Sequence, residues 1–153
     1  MDKDKPYDKK YLLAHDIDWF FSYKGKPIHA ASFSGIIPKQ ITVHRNREIQ
    51  SRVYSMEPIS EYNLESDLSN SDLSDEQKLA YLHSFIEMAQ RGFYSFDRVV
   101  SEPYYQIEES DNKNAYKLIA SPTKLYDDIE SLPILDNEII FLDGDLSSFE
   151  IEE

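Results

Sequence analysis

The chain has 153 residues, 41% of them apolar, and its eight Phe, eleven Tyr and one Trp supply the core material that disordered chains of similar charge lack. It contains no cysteine, which excludes disulfides and thiolate chemistry and agrees with a reducing compartment. The formal net charge of −13 is split unevenly: residues 1–52 hold ten Lys/Arg and six Asp/Glu, and residues 53–153 hold six and twenty-three, a field that attracts basic partners and repels nucleic acid and anionic membranes.

Residues 1–10 are charged, short of large aliphatics and contain Pro6, so a loose leader is expected ahead of a single domain over 11–153. Tyr11 to Ala14 is too short an apolar run for a signal peptide, and no stretch reaches the length of a membrane span; a soluble, cytoplasmic protein is expected. Asp16 to Tyr23 alternates Ile17, Trp19, Phe21 and Tyr23 against Asp16, Asp18, Phe20 and Ser22, which predicts a strand with one wetter face. Lys24-Gly25 turns the chain into a second strand, Pro27 to Phe33. Ile41 to His44 and Ile49 to Met56 are expected as a third and fourth strand across an Asn46-Arg47 turn.

Residues 53–77 hold seven carboxylates and no Lys or Arg, and the near-duplicate Ser66 to Ser69 and Ser71 to Ser74 reads as an acidic connector. Ser74 and Gln77 fit a capping box, Asp75 and Glu76 suit the positive end of a helix dipole, and Gly92 stands ready to end the element. Leu79, Leu82, Phe85, Ile86 and Ala89 recur at three- and four-residue spacing, so a core-facing helix is predicted over 75–91. Phe96 to Val100, Tyr104 to Glu109 and Ala115 to Ala120 read as strands, the last two joined by a loop over 110–114. Pro122 after Ser121 suggests a short second helix over 122–131. Glu138 to Leu142 and Phe149 to Glu152 could pair across Asp143-Gly144. The fold class expected is α+β, a mostly antiparallel sheet against one main helix.

Few residues suggest chemistry. His15, Asp16, Asp18 and His29 have the ligand types of a zinc or iron centre. If Tyr23 pairs with Lys26 across a two-residue turn, however, His29 lies opposite Phe20 and diagonal to Asp18, and His15 falls on the other face with Trp19. The expectation is an ordinary cross-strand polar pair between His29 and Asp18 and no metal site. A small hydrolase or metal-dependent enzyme working from Asp16, Asp18 and His29 is the alternative. His44, among Arg45, Arg47 and Arg52, reads as a solvated hairpin tip, and His83 as a helix residue at the rim of the core. No Gly-x-Ser-x-Gly, His-Glu-x-x-His or Ser-x-x-Lys motif occurs, and four scattered Gly build no phosphate loop. Asp127-Asp128-x-Glu130 and Asp143-Gly144-Asp145 lack the ligand spacing of a calcium loop. No cofactor is expected.

Residues 125–153 hold ten carboxylates and no Lys or Arg. Tyr62, Tyr104, Tyr105 and Tyr126 beside Asp127, Asp128, Glu130, Asp143 and Asp145 would suit a surface that grips something basic, since Tyr offers area and a hydroxyl at low entropy cost. The expected function is therefore an acidic interaction protein that blocks a basic protein partner, without direct nucleic-acid or membrane binding. Its concrete form is a toxin-neutralising immunity protein or similar inhibitor, or a nucleic-acid mimic. A soluble domain whose acidity serves only solubility is the plain alternative.

Overall fold

The computed structural model describes residues 4–65, 72–98, 114–136, 139–141 and 146–151. The fold is α+β. Six strands run in the order β1 (Asp18–Tyr23), β2 (Lys26–Ala31), β4 (Tyr94–Arg98), β5 (Ala115–Pro122), β7 (Ser148–Ile151), β6 (Ile139–Phe141), and β3 (Tyr62–Leu64) adds to β5. All pairings are antiparallel except β2 with β4. That parallel pair needs a long crossover, and the chain between its strands carries α2 (Val43–Tyr54), β3 and α3 (Asp75–Gln90). A short helix α1 (Lys9–Ala14) precedes β1, and a 3-10 turn spans Ile129–Ser131.

The β1–β2 hairpin has the register expected from its two-residue turn, Tyr23 opposite Lys26 and Phe20 opposite His29. Lys24 and Gly25 both take positive φ, 49° and 78°, the backbone that matches the twist of paired strands. The sheet then curls. The Ser22 N–H donates to the Pro133 carbonyl at 2.8 Å, and the Leu135 N–H donates to the Ser22 carbonyl at 3.1 Å, so the segment leading into β6 bridges back to β1.

Curling gives the sheet two buried faces rather than one. Inside lie Trp19, Phe21, Ile28, Phe96, Tyr116 and Phe149, with Tyr116 stacked on Phe149 at a centroid distance of 4.7 Å. Outside, Phe20 packs with Ile49 and Val53 of α2, and Ala31 and Ile119 pack with Leu82, Phe85 and Ala89 of α3. The wetter face expected for Asp16 to Tyr23 is this outer one and is covered in part: Phe20 and Ser22 are buried, Asp18 is partly buried, and Asp16 stays exposed.

The third and fourth strands expected around Asn46-Arg47 are instead the single helix α2. Asn46, Ile49 and Val53 are its buried residues, and their three- and four-residue spacing outweighs the β-branched content of Ile41 to Val43. His44 therefore sits in the first turn of a helix, not at a hairpin tip. The helix begins where a distant residue lets it. Asp4 accepts hydrogen bonds from the N–H groups of His44 (2.8 Å) and Arg45 (3.0 Å) and from the Thr42 hydroxyl, doing the work of a cap from outside the helix. These bonds outweigh the slight burial of Asp4 and hold its carboxyl below the ordinary range. The leader expected to be loose is accordingly docked over its described residues, with the Val43 N–H also bonded to the Lys5 carbonyl at 2.8 Å.

α3 begins as its sequence demands, with the Ser74–Gln77 capping box made in both directions. It ends at Gly92, whose φ is 94°; a Cβ there would lie 2.2 Å from the Tyr126 backbone nitrogen. The buried face differs in part from the expected stripe. Leu82, Phe85, Met88 and Ala89 are inside, whereas Leu79 is 67% exposed. Pro122 ends β5 rather than starting a helix, and only the 3-10 turn stands where a helix over 122–131 was expected. β6 and β7 do pair, Ile139 opposite Ile151. The expected strand Tyr104 to Glu109, most of its loop, and the Ser66 to Ser69 repeat lie outside the described residues.

β2 stops at Ala31, two residues short of the expected Phe33. Phe33 and Ser34 enter the left-handed region at φ 43° and 63°, a conformation that costs a residue with a Cβ roughly 1–2 kcal/mol. Hydrogen bonds offset the strain. The Phe33 N–H donates to Asp16 Oδ1 at 2.8 Å, and the Arg98 guanidinium donates to the Ser32 and Phe33 carbonyls at 2.8 and 2.7 Å.

Leu82 is 8% exposed, so Leu82→Ala is expected to destabilise the fold by about 2–5 kcal/mol, while Leu79→Ala should stay within about 0.5 kcal/mol of the parent. Urea denaturation of both variants checks the helix face; equal losses would mean that it is misplaced.

Candidate functional site

The outer sheet face between α2 and α3 carries the densest group of polar side chains among the described residues. Register puts them there. Phe20 pairs with His29 and Asp18 with Ala31 across β1 and β2; His29 pairs with Ser95 and Ala31 with Asp97 across β2 and β4. Side chains in register share a face, so Asp18, His29, Ser95 and Asp97 all point the same way.

His29 bridges its neighbours. Its Nε2 lies 2.8 Å from Asp18 Oδ1 and its Nδ1 lies 2.7 Å from Ser95 Oγ. An ionised carboxylate only accepts, so Nε2 carries a proton; in the neutral ring Nδ1 then accepts from the Ser95 hydroxyl. The expected His29–Asp18 pair is present, in the diagonal geometry. His15 is elsewhere, stacked on Tyr11 at a centroid distance of 3.9 Å with its Nδ1 2.8 Å from the Tyr11 carbonyl. Asp16 faces the Phe33 backbone. Asp16, Asp18 and His29 thus do not meet at one point, and no group of three or more His, Asp or Glu side chains among the described residues could hold a metal ion.

The helices supply the rest of the shell. Tyr54 of α2 donates its hydroxyl to Asp18 Oδ2 at 2.6 Å, and Asn46 and Gln50 donate to the Asp18 carbonyl at 3.0 and 2.7 Å. Burial by itself would raise the Asp18 carboxyl; the bonds from His29 and Tyr54 and the nearby imidazole hold it below the ordinary range instead. Tyr81 of α3 donates to Asp97 Oδ2 at 2.5 Å. Burial, together with the charge of Asp16, pushes the Asp97 carboxyl up to about 6 despite the Tyr81 bond. Both tyrosine hydroxyls are pushed up, by burial first and then by the carboxylates they touch.

Ser95, His29 and Asp18 have the residue types of a nucleophilic triad, yet Ser95 and His29 are each 0% exposed. An acyl group has no access to a hydroxyl sealed under α3, whose Phe85 ring stands 6.2 Å from the imidazole. What this chain of bonds can do is satisfy the buried His29 and Ser95 together with the partly buried Asp18, and so tie β1, β2 and β4 to one another. Sequence reasoning missed Ser95 because it lies 66 residues from His29 and meets it only through the parallel pairing.

The residues expected to bind a partner separate into groups. Asp127, Asp128 and Glu130 are exposed on the segment after β5, and Tyr62 is exposed on β3. Ser60 laces the two regions, its Oγ accepting from the Thr123 and Lys124 N–H groups at 2.9 and 2.8 Å, so Glu57 and Glu61 share that edge. Arg52 reaches Asp128 at 3.8 Å. Tyr126 is a correction: it is 3% exposed, its ring stacked on Phe93 at 4.7 Å and its N–H bonded to the Gly92 carbonyl, because a residue without a side chain at 92 lets the loop come that close. Tyr104, Tyr105, Asp143 and Asp145 lie outside the described residues. His83, expected at the rim of the core, is exposed and sits 3.0 Å from Glu87 on the solvent side of α3.

No family model matches the chain, and no curated protein or solved structure matches it either.

The folded state holds the Asp97 proton more tightly than the unfolded chain does, so this carboxyl contributes stability below its unfolded pKa of 3.8 that is lost as pH rises through about 6. Asp97→Asn keeps an acceptor for Tyr81 and removes the charge. Its stability relative to the parent is expected to rise by roughly 1–3 kcal/mol between pH 4 and pH 7. Denaturant midpoints across that range test this; a gap that does not change with pH would mean that Asp97 titrates normally.

Proposed function

We propose that the chain is an acidic interaction protein that binds and blocks a basic protein partner, concretely an inhibitor of the immunity-protein kind or a mimic that fills a nucleic-acid-binding groove. The observation that carries the reading is the set of exposed carboxylates along the joined 57–61 and 123–131 segments, Glu57, Glu61, Asp127, Asp128 and Glu130. Among the described residues only Asp128 of these has an ion-pair partner, Arg52, at 3.8 Å. The five carboxylates outnumber the cations on this edge, Lys124 and Arg52, and that negative excess sets a field that steers a basic partner in, while exposed Tyr62 on the same edge offers contact area. The burial of Ser95 and His29 weighs against the hydrolase alternative. No described helix is long and apolar enough to cross a membrane.

Charges at the rim of an interface act mainly on the association rate, and salt screens them over a Debye length of about 8 Å at physiological ionic strength. The test is affinity capture from a lysate, identification of the bound protein, and association kinetics for the parent and an Asp127→Asn/Asp128→Asn/Glu130→Gln variant at low and high salt. The expected partner is basic, and its association rate falls on both neutralisation and added salt while dissociation changes little. An acidic partner, or a rate that ignores salt and charge alike, would overturn the reading and leave solubility as the use of the acidity.

A further inference from the structure

β3 is an edge strand with one side open. Among the described strands it pairs with β5 alone, Tyr62 opposite Pro122, Asn63 opposite Ser121 and Leu64 opposite Ala120. The bonds at its two ends fix which backbone groups face inward. The Glu65 N–H donates to the Ile119 carbonyl at 2.9 Å, and the Thr123 N–H donates to the Glu61 carbonyl at 3.1 Å. Backbone polar groups alternate in direction along a strand, so Glu61, Asn63 and Glu65 turn theirs toward β5, and Tyr62 and Leu64 turn theirs away. Nothing else among the described residues takes the N–H and C=O groups of Tyr62 and Leu64.

Side chains alternate as well. Tyr62 and Leu64 share one face of the strand, 38% and 48% exposed, and Glu61, Asn63 and Glu65 share the other, exposed too. A strand added at this edge would meet apolar surface at every second residue and carboxylates at the residues between. Residues 57–65 hold Glu57, Glu61 and Glu65 and no Lys or Arg. The neighbouring cations are Lys124, whose N–H bonds Ser60, and Lys117, two residues along β5 from the Ile119 that bonds Glu65. Neither forms an ion pair among the described residues, so the edge keeps a negative excess. That excess decides between occupants. A second copy of the chain pairing antiparallel at β3 would set Glu61 against Glu65, and like charges directly opposite destabilise a strand pair. Acids protect an open edge against self-pairing but favour a strand that brings Lys or Arg.

We propose that β3 is a docking edge for an extended basic segment of a protein partner. The segment adds as an antiparallel strand through the N–H and C=O groups of Tyr62 and Leu64, with its apolar side chains beside theirs and its Lys or Arg beside Glu61 and Glu65. The proposal rests on the reading of the chain as a binder of basic partners and adds how the partner is held: main-chain bonds fix the register, and the alternation of basic and apolar residues selects the segment.

Four synthetic peptides probe the labelled full-length chain: alternating Lys/Val, the same peptide N-methylated at its Val nitrogens, the same N-methylated at its Lys nitrogens, and alternating Glu/Val. The first is expected to bind saturably and to slow solvent exchange of the Tyr62 and Leu64 amides. Antiparallel pairing turns the Val nitrogens toward β3 and the Lys nitrogens away, so methylating Val should lower affinity at least about tenfold, methylating Lys should cost far less, and the Glu peptide should not bind. Leu64→Pro removes an N–H that the β3–β5 ladder does not use and sets a ring in the path of the incoming strand; it should weaken the Lys/Val peptide at least about tenfold while the thermal midpoint stays near the parent's. Equal losses from the two methylations, binding indifferent to Leu64→Pro in a folded chain, no saturable binding of the Lys/Val peptide, or self-association of the chain through β3 would each overturn the docking edge. The methylated peptides decide it on the parent chain whatever Leu64→Pro does to the fold. In the capture experiment, a basic partner that associates with Leu64→Pro as it does with the parent would keep the reading of the chain and remove only the edge.

Discussion

A single imidazole joins three strands that the chain order keeps far apart. His29 of β2 reaches Asp18 of β1 with one nitrogen and Ser95 of β4 with the other, and the imidazole and the Ser95 hydroxyl are buried. A buried imidazole with either nitrogen unpaired would bear a desolvation cost of about 1–3 kcal/mol, so each strand must come into register for the ring to be satisfied. Asp18 then transmits the constraint. Its carboxylate and carbonyl collect Tyr54, Asn46 and Gln50, which sets the rotation of α2 on the sheet. α3 closes the other side, with Phe85 over the imidazole and Tyr81 bonded to Asp97.

The same face explains why a constellation rich in catalytic residue types supports no catalytic reading. A sheet that curls until its first strand meets the approach to β6 has an inside filled by aromatics and an outside roofed by two helices. Between those layers a hydroxyl and an imidazole can satisfy each other, but they cannot meet a substrate. With both faces occupied, charge is pushed to turns and connections: the Ser60 to Glu65 edge, the Thr123 to Ser131 segment, and the Asp16–Phe33 corner.

How much of this was readable depended on distance along the chain. The β1–β2 register followed from a two-residue turn, and the His29–Asp18 diagonal followed from the register. α3 was readable end to end because its capping box, acidic first turn and terminal Gly92 are all local. Its face was misjudged at Leu79, since a helix period names a stripe and not how far along that stripe the sheet reaches. α2 read as two strands because the group that caps it is Asp4, a residue supplied by a leader that looked loose. Tyr126 read as a surface residue because the close approach to Gly92 that buries it is a tertiary contact.

The sequence by itself determined the class of fold, the hairpin, the main helix and the sign and division of the charge, all of which are set by residues within a turn or two of one another or by composition. Only the tertiary structure decided the parallel β2–β4 pairing that brings Ser95 to His29, the closure that buries both sheet faces, and the left-handed turn that holds Phe33 in solvent. The physical reason is common to the three. Each depends on a buried or strained polar group finding its hydrogen-bond partner across the fold, and no local pattern records which distant residue that partner is.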